Sequence, residues 1–342
     1  MAVREQVLKA LPSVRPWRAR FDMTHPFPFL NRHVISAEQF DAESIKYVMN
    51  FADIIDGGLK LAPGHSLLSG KVQANVFLEP STRTATSFAV SMLRSGGSVF
   101  NINSETSSVQ KGETLEDTIR TLESYADVIV MRHPVVGAAD LAASVSNNRV
   151  PIINAGDGGG EHPTQALLDL YSIHSRFGSL DEEINMTFLG DLKFGRTVHS
   201  LAQMVSHFPN IRLTFVSPPN LQMPKYYLDL LDQRNCKYEV YNELEPVLSK
   251  TDVLYQTRVQ KERFVDLDEY MASKGKFIIT TDIMKMLKSS AILMHPFPRV
   301  DEIKEEVDAD SRAWYFTQPA MGVRARMALL GLVLGKERSF HS

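Results

Sequence analysis

The stretch that most constrains this chain is Val72 to Leu93, VQANVFLEPSTRTATSFAVSML. An apolar, β-prone run from Val72 to Leu78 leads into Glu79-Pro80, then the polar cluster Ser81-Thr82-Arg83-Thr84, then a helix-period segment marked by Phe88, Met92 and Leu93. The pattern predicts a strand, a tight turn and a helix N-terminus. At such a junction the first backbone N–H groups lack intrahelical partners and the peptide dipoles add positive potential, so an anion is favoured. Three hydroxyls and one guanidinium in four residues add donors without an acceptor charge, which suits a phosphate. In isolation Ser-Thr-Arg also fits a capped helix with a solvated arginine, and the other strand ends decide between the two.

At 342 residues the chain exceeds one ordinary domain and predicts two, each able to bury its own core. Strand-like runs at 98–102, 127–131, 150–154, 184–189, 212–216, 237–241, 252–257 and 291–294 alternate with helical segments, and a composition break falls at Phe177 to Glu183. The predicted fold class is α/β, with two doubly wound domains, each a mostly parallel sheet flanked by helices. Ser36 to Leu61 predicts an amphipathic helix stopped by Gly57-Gly58. Residues 1 to about 30 are basic and proline-punctuated, which predicts an arm or linker. The apolar segment Met327 to Leu334 predicts a helix packed on the core.

A net charge of -3 argues against a nucleic-acid surface, and the single cysteine, Cys236, cannot form an internal disulfide, which predicts a reducing compartment. No apolar run reaches the roughly 20 residues of a membrane span, and the opening MAVREQVLKALPSV has no signal-peptide core. A soluble, cytoplasmic protein is expected.

The grammar of the opening stretch recurs. The run at 127–131 ends in Arg132-His133-Pro134, and open α/β sheets place ligands at the carboxyl ends of strands. The run at 150–154 ends in AGDGGGE, whose glycines let backbone approach a ligand closely, and His162 and Gln165 follow three apart on one face of a helix start. Ser107, Ser108, Lys111 and Gly112 lie in a polar loop able to fold over a phosphate. The run at 184–189 leads through Gly190 to Gly195 into Arg196-Thr197. This reads GxxxxGRT, one residue from a P-loop, which raises a nucleotide-binding alternative. A planar arginine fork suits a carboxylate better than the P-loop lysine's place between phosphates. The run at 252–257 ends in Arg258-Val259-Gln260, and 291–294 ends in His295-Pro296-Phe297-Pro298, a rigid loop. Arginines and hydroxyls dominate these ends, with no carboxylate pair, no Cys/His metal spacing and no nucleophile beside a base. The implied chemistry is the binding and polarising of anionic substrates.

FLEPSTRT closely resembles the carbamoyl-phosphate signature of the aspartate/ornithine carbamoyltransferase superfamily. RHP, NAGDGGGEHPTQALLDL, GDLKFGRTVHSL, YQTRVQKERF and HPFPRVDEI resemble, in order, the other blocks of its aspartate branch. The resemblance spans about Val34 to Leu334. Glu79 before STRT, His295-Pro296 where ornithine enzymes typically carry His-Cys, and TRVQ point to the aspartate carbamoyltransferases. Departures are Phe297, where a smaller apolar residue is common, and Pro319, Met321 and Arg324 in the last block.

The resemblance implies an arm or linker over 1–33, a carbamoyl-phosphate domain over 34–165 completed by a helix over 318–342, and an aspartate-binding domain over 166–317. It implies that Ser81, Thr82, Arg83 and Thr84 bind the phosphate, and that Thr84, Arg132 and His162 contact the carbonyl oxygen. Gln165 and the Pro296 carbonyl, with Phe297 beside it, would orient the carbamoyl amide. Arg196, Arg258 and Gln260 would hold aspartate, and Ser107 and Lys111 would enter from the adjacent subunit of a homotrimer. No cofactor and no metal is implied. The expected reaction converts carbamoyl phosphate and L-aspartate to N-carbamoyl-L-aspartate and phosphate, in pyrimidine (UMP) biosynthesis. In animals and fungi this activity is commonly one domain of a multifunctional pyrimidine-synthesis protein, and the basic arm fits excision from such a chain.

Overall fold

A computed structural model of the chain describes residues 15–61, 66–103, 112–146, 149–264 and 266–337. It folds into two compact units, one of Met1–Tyr171 with Pro319–Ser342, the other of Ser172–Gln318. Each is built on a parallel sheet, as the alternation of apolar runs and helical segments predicts.

In the first unit, β1 (Val72–Phe77), β2 (Ser98–Asn103), β3 (Val128–His133) and β4 (Ile152–Asp157) form a sheet in the order β2-β1-β3-β4. β1 is almost wholly buried, the near-continuous burial expected of a parallel strand covered on both faces. The buried amide of Asn75 donates to the Ala85 carbonyl at 3.2 Å and to Asn101 at 3.1 Å, tying β1 to the helix after it and to its neighbour. Helices α1 (Ala42–Leu61), α2 (Thr82–Arg94), α3 (Leu115–Leu122), α4 (Ala138–Ser146) and α5 (Pro163–Phe177) follow in chain order.

Two expectations are corrected here. Ser36 does not open the long helix but caps a separate turn at Ala37–Gln39, with its hydroxyl accepting from the Glu38 N–H. Gly57-Gly58 does not stop α1 either, because the helix runs through both to Leu61. Burial of Val48, Ala52 and Ile55 holds that face to the core, which outweighs the roughly 1 kcal/mol helical cost of a glycine.

Residues 15–33 pack onto this unit. Phe21 and Phe29 are buried with ring centroids 4.1 Å apart, and Val34 pairs in parallel with Ile153 at the edge of β4. The last helix, Gln318–Val333, carries Met327, Leu329, Leu330, Leu332 and Val333 into the core. Two of its three departures from the family pattern have local reasons. Pro319 sits in the first turn, where its missing N–H is harmless, and Arg324 pairs with Asp56 of α1.

In the second unit, β5 (Ile184–Leu189), β6 (Ile211–Val216), β7 (Tyr238–Tyr241), β8 (Val253–Gln256) and β9 (Ile292–Met294) form a sheet in the order β7-β6-β5-β8-β9. Its helices are α6 (Arg196–Val205), α7 (Lys225–Gln233), α8 (Glu245–Leu248), α9 (Leu267–Ser273) and α10 (Thr281–Met286). Within its core the rings of Phe188 and Phe215 stack, and Tyr255 meets Phe188 edge-on. Outside the named strands, Ile279 bridges in parallel to Ile303. Among the described residues no helix is long and apolar enough to cross a membrane.

Candidate functional site

Each sheet reverses its winding once, and candidate residues sit at those reversals and at the ends of the adjoining edge strands β4 and β9. In the first unit the chain passes from β1 to β2 on one side and returns to β3 on the other, so the carboxyl ends of β1 and β3 flank a crevice of the kind that binds ligands in open α/β sheets. Register pairs Phe77 with Arg132 across this point. α2 begins at Thr82 directly after β1, with Ser81 at its N-cap in extended conformation and making no side-chain capping bond. Both the hydroxyl and the dipole of the first turn are thus available to an anion.

Positive charge gathers at the same place. The Arg83 guanidinium is held below its usual range by burial and by the neighbouring charge of Arg132. Arg132, whose side chain is 13% exposed, pairs with Glu79 at 3.3 Å, while its buried Nε has no hydrogen-bond partner. A second positive charge acting on Arg83 favours a bound anion beside the pair. Thr84 is buried in the first turn of α2. Next to Arg132, the His133 imidazole accepts from the Val135 N–H at 3.0 Å, and burial lowers its pKa.

The third strand end supplies His162 and Gln165. His162 is buried immediately before α5, and its carbonyl accepts the N–H groups of Gln165 and Ala166 at 3.0 and 3.2 Å. The Gln165 amide donates to Asp169 one turn on at 3.0 Å, which leaves its amide oxygen oriented by α5. The loop before His162 is held by Asp157, whose carboxylate accepts from Glu161 N–H at 2.8 Å and Gly137 N–H at 2.9 Å. Gly158 is required there. Its φ is +52°, and a Cβ would meet the Pro134 carbonyl at 2.5 Å. Burial pushes the Glu161 carboxyl up to about 7 against the charge of Arg18 and the donors Ala37 N–H and Ser36 hydroxyl.

In the second unit the reversal lies between β5 and β8, whose ends pair Leu189 with Gln256. Arg196 is the first residue of α6, with Gly195 as an N-cap that offers no side chain. Arg258 and Gln260 follow β8. One buried carboxylate, Asp191, organises both loops. It accepts from Phe194 N–H at 2.9 Å and from Gln260 N–H at 3.4 Å, and its own N–H donates to the Thr257 hydroxyl at 3.0 Å. Burial raises its pKa despite these donors. The Gln260 amide donates to the Phe194 carbonyl at 3.2 Å, so the β5 and β8 loops are one tied structure. Gly190, at φ +112°, comes so close to Thr257 that a Cβ would lie 2.4 Å from its carbonyl oxygen.

Pro296 and Phe297 follow β9 in the same unit. Phe297 N–H donates to Nδ1 of the buried His295 at 2.8 Å, so Nε2 carries the ring proton and donates to Glu302 at 2.7 Å. Burial would raise the Glu302 carboxyl, but the hydrogen bond from His295 and those from backbone N–H groups, Val300 among them, hold it below its usual range. Phe297 sits at φ +56°, wedged between the rings of His295, Tyr315 and Phe316. For a bulky side chain this is a strained backbone, and the ring packing holds it. Ser107 and Lys111 lie outside the described residues.

The model of the aspartate/ornithine carbamoyltransferase carbamoyl-P binding domain matches residues 32–175, and that of the Asp/Orn binding domain matches residues 182–333. The chain belongs to the aspartate/ornithine carbamoyltransferase family. It is 48% identical over 305 residues to the aspartate carbamoyltransferase catalytic subunit of Thermococcus kodakarensis, covering 89% of this chain and 97% of that one. It is 46% identical over 317 residues to multifunctional protein CAD of Squalus acanthias, covering 91% of this chain but only 14% of that protein. Among solved structures, the Trypanosoma cruzi aspartate transcarbamoylase in complex with N-(phosphonacetyl)-L-aspartic acid superposes with a TM-score of 0.85 at 43% identity, over 90% of this chain and 97% of that one.

Within this carbamoyltransferase, the supporting carboxylates Asp157, Asp169 and Asp191 escaped the sequence reading. Two left a signal. Asp169 stands four residues beyond Gln165 on one helix face, and Asp191 opens a Gly-Asp turn able to fold back on its own backbone.

Proposed function

We propose that the chain is an aspartate carbamoyltransferase, transferring the carbamoyl group of carbamoyl phosphate to the α-amine of L-aspartate with release of phosphate. The observation that carries this reading is the adjoining carboxyl ends of β1 and β3, where the uncapped start of α2 brings Arg83 within the field of Arg132. Such a place is built for a dianion, and the sequence around it matches the carbamoyl-P binding domain.

Ser81, Thr82, Arg83 and Thr84 hold the phosphate. Thr84, Arg132 and His162 donate to the carbonyl oxygen, and Gln165, with the Pro296 carbonyl beside Phe297, orients the amide. In the second unit Arg196, Arg258 and Gln260 take the aspartate carboxylates. The neutral amine attacks the carbamoyl carbon, negative charge builds on the carbonyl oxygen, and the three donors stabilise it. Loss of one such donor typically costs about 10²- to 10³-fold in rate. The departing phosphate accepts the amine proton, so the step needs no protein base, and orientation of the two anions supplies further acceleration.

Ser107 and Lys111 reach the site of an adjacent subunit in a cyclic homotrimer. The product feeds pyrimidine synthesis in the cytoplasm, and the likeness to CAD supports a setting within a larger pyrimidine-synthesis polypeptide. A carbamoyl-transfer assay offering aspartate and ornithine in parallel tests the reading. Product is expected from aspartate alone, and equal or preferential use of ornithine overturns it.

A further inference from the structure

His162 is carried by a loop rich in glycine, Gly156 to Glu161, which would sample many conformations unless anchored. Asp157 anchors its beginning. Its end is anchored by Glu161, the residue directly before His162, whose carboxylate is held by groups from the segment that precedes α1. The Ser36 hydroxyl donates to Oε1 at 2.7 Å and the Ala37 N–H to Oε2 at 2.7 Å, while an Arg18 guanidinium nitrogen lies 3.3 Å from Oε1.

Arg18 is itself fixed in place. Its Nε and a terminal nitrogen grip both oxygens of Asp140 at 2.6 Å each, and the Trp17 indole N–H donates to the same carboxylate at 3.0 Å. Asp140 is fully buried, so this fork works where solvent screening is weakest. The segment is held at further points: the Gln39 amide donates to the Trp17 carbonyl at 3.0 Å, and Val34 pairs with the edge of β4. Arg18 therefore joins α4, through Asp140, to the loop that ends in His162. None of these groups belongs to the Ser81 to Thr84 turn.

We propose that Glu161, gripped by Arg18, Ser36 and Ala37, is a positioning residue that aims His162, and that the Trp17-Arg18 turn is a working part of the site. This rests on the reading of His162 as a donor to the carbonyl oxygen. Displacement of such a donor by a fraction of an ångström weakens the transition state more than the ground state, so the effect falls on kcat.

The test is steady-state kinetics of the full chain carrying Glu161→Gln or Arg18→Ala, each alone and each combined with His162→Ala, alongside thermal unfolding and inhibition by inorganic phosphate. Each single variant is expected to lower kcat roughly 10-fold while the phosphate inhibition constant stays within about twofold, since the phosphate turn is untouched. Arg18→Lys, which keeps the charge but loses the fork to Asp140, should fall between Arg18→Ala and the unaltered chain. In the His162→Ala background neither second substitution should reduce kcat further, because the group they aim is gone. Full additivity in that background, or unchanged kcat in a folded Glu161→Gln protein, overturns the proposal. Should Arg18→Ala not fold, Glu161→Gln and Ser36→Ala carry the same comparison. Unchanged kcat in His162→Ala alone would instead overturn the reading of His162 itself, and the proposal with it.

Discussion

Two side chains of the second unit make separable predictions at the scale of the residue. Arg258 is read as a ligand of aspartate and lies in the unit that does not carry the phosphate turn. Arg258→Ala should therefore raise the KM for aspartate by about 10- to 150-fold, the loss of a charged hydrogen bond worth roughly 1.5–3 kcal/mol. Binding of carbamoyl phosphate, followed by calorimetry, should change little. Comparable loss of both affinities would refute the division of labour. His199 makes a stability prediction. It is buried on α6, with Nε2 2.8 Å from the Leu192 carbonyl and its ring stacked 4.2 Å from Tyr227, and burial drives its pKa down to about 4. A depressed folded pKa means that the unfolded chain binds the extra proton first. The stabilising contribution of neutral His199 is complete above about pH 6.5 and is lost as pH falls towards 4, by about 3 kcal/mol in all. Urea midpoints of His199→Gln should show a flatter dependence over that window, and an unchanged slope would discount the residue.

Glycines separate two kinds of structural element. Gly57 lies within α1 with nothing within 4 Å of a would-be Cβ, so Gly57→Ala should stabilise the protein by about 0.5–1 kcal/mol through helix propensity and a less flexible unfolded chain. Gly190 closes β5 at φ +112° with the Thr257 carbonyl against it, so Gly190→Ala must push the β5 and β8 loops apart. A loss of about 1–3 kcal/mol is expected from the backbone strain, with a fall in aspartate affinity because Arg196 and Arg258 stand on those loops. Thermal unfolding of the pair should move in opposite directions. A neutral Gly190→Ala would mean that the loops give way without disturbing the site. The same contrast limits what was legible at this scale. Strand, turn and helix around Ser81 and around Arg196 could be read from periodicity, because a polar turn between an apolar run and a helix-period segment has few other solutions. The passage of α1 through Gly57-Gly58 could not, because the burial that overrides glycine's low propensity comes from packing distant in sequence.

For the whole molecule, the proposed sharing of sites between subunits predicts complementation. Lys111→Ala and Arg258→Ala should each be nearly inactive alone. Unfolded, mixed equally and reassembled, they should recover towards about a quarter of the unaltered activity, the chance in a head-to-tail trimer that a chain keeping Arg258 adjoins one keeping Lys111. No recovery in verified mixed trimers would place both residues in one chain's site. The sequence by itself determined the fold class, the two sheets and the residues at their carboxyl ends, since parallel strands buried on both faces read as continuous apolar runs and anion sites need donors where those runs stop. It also determined the family, through long blocks in fixed order. What only the tertiary structure decided is which strand ends are neighbours and what holds them. The orders β2-β1-β3-β4 and β7-β6-β5-β8-β9 put Arg132 beside the α2 turn and Gln260 beside Phe194. Asp191 and the Arg18–Asp140–Glu161 network link residues 69, 122 and 143 positions apart. Local periodicity carries no trace of such pairings, because they depend on which faces come together once the chain has wound in both directions from its central strand.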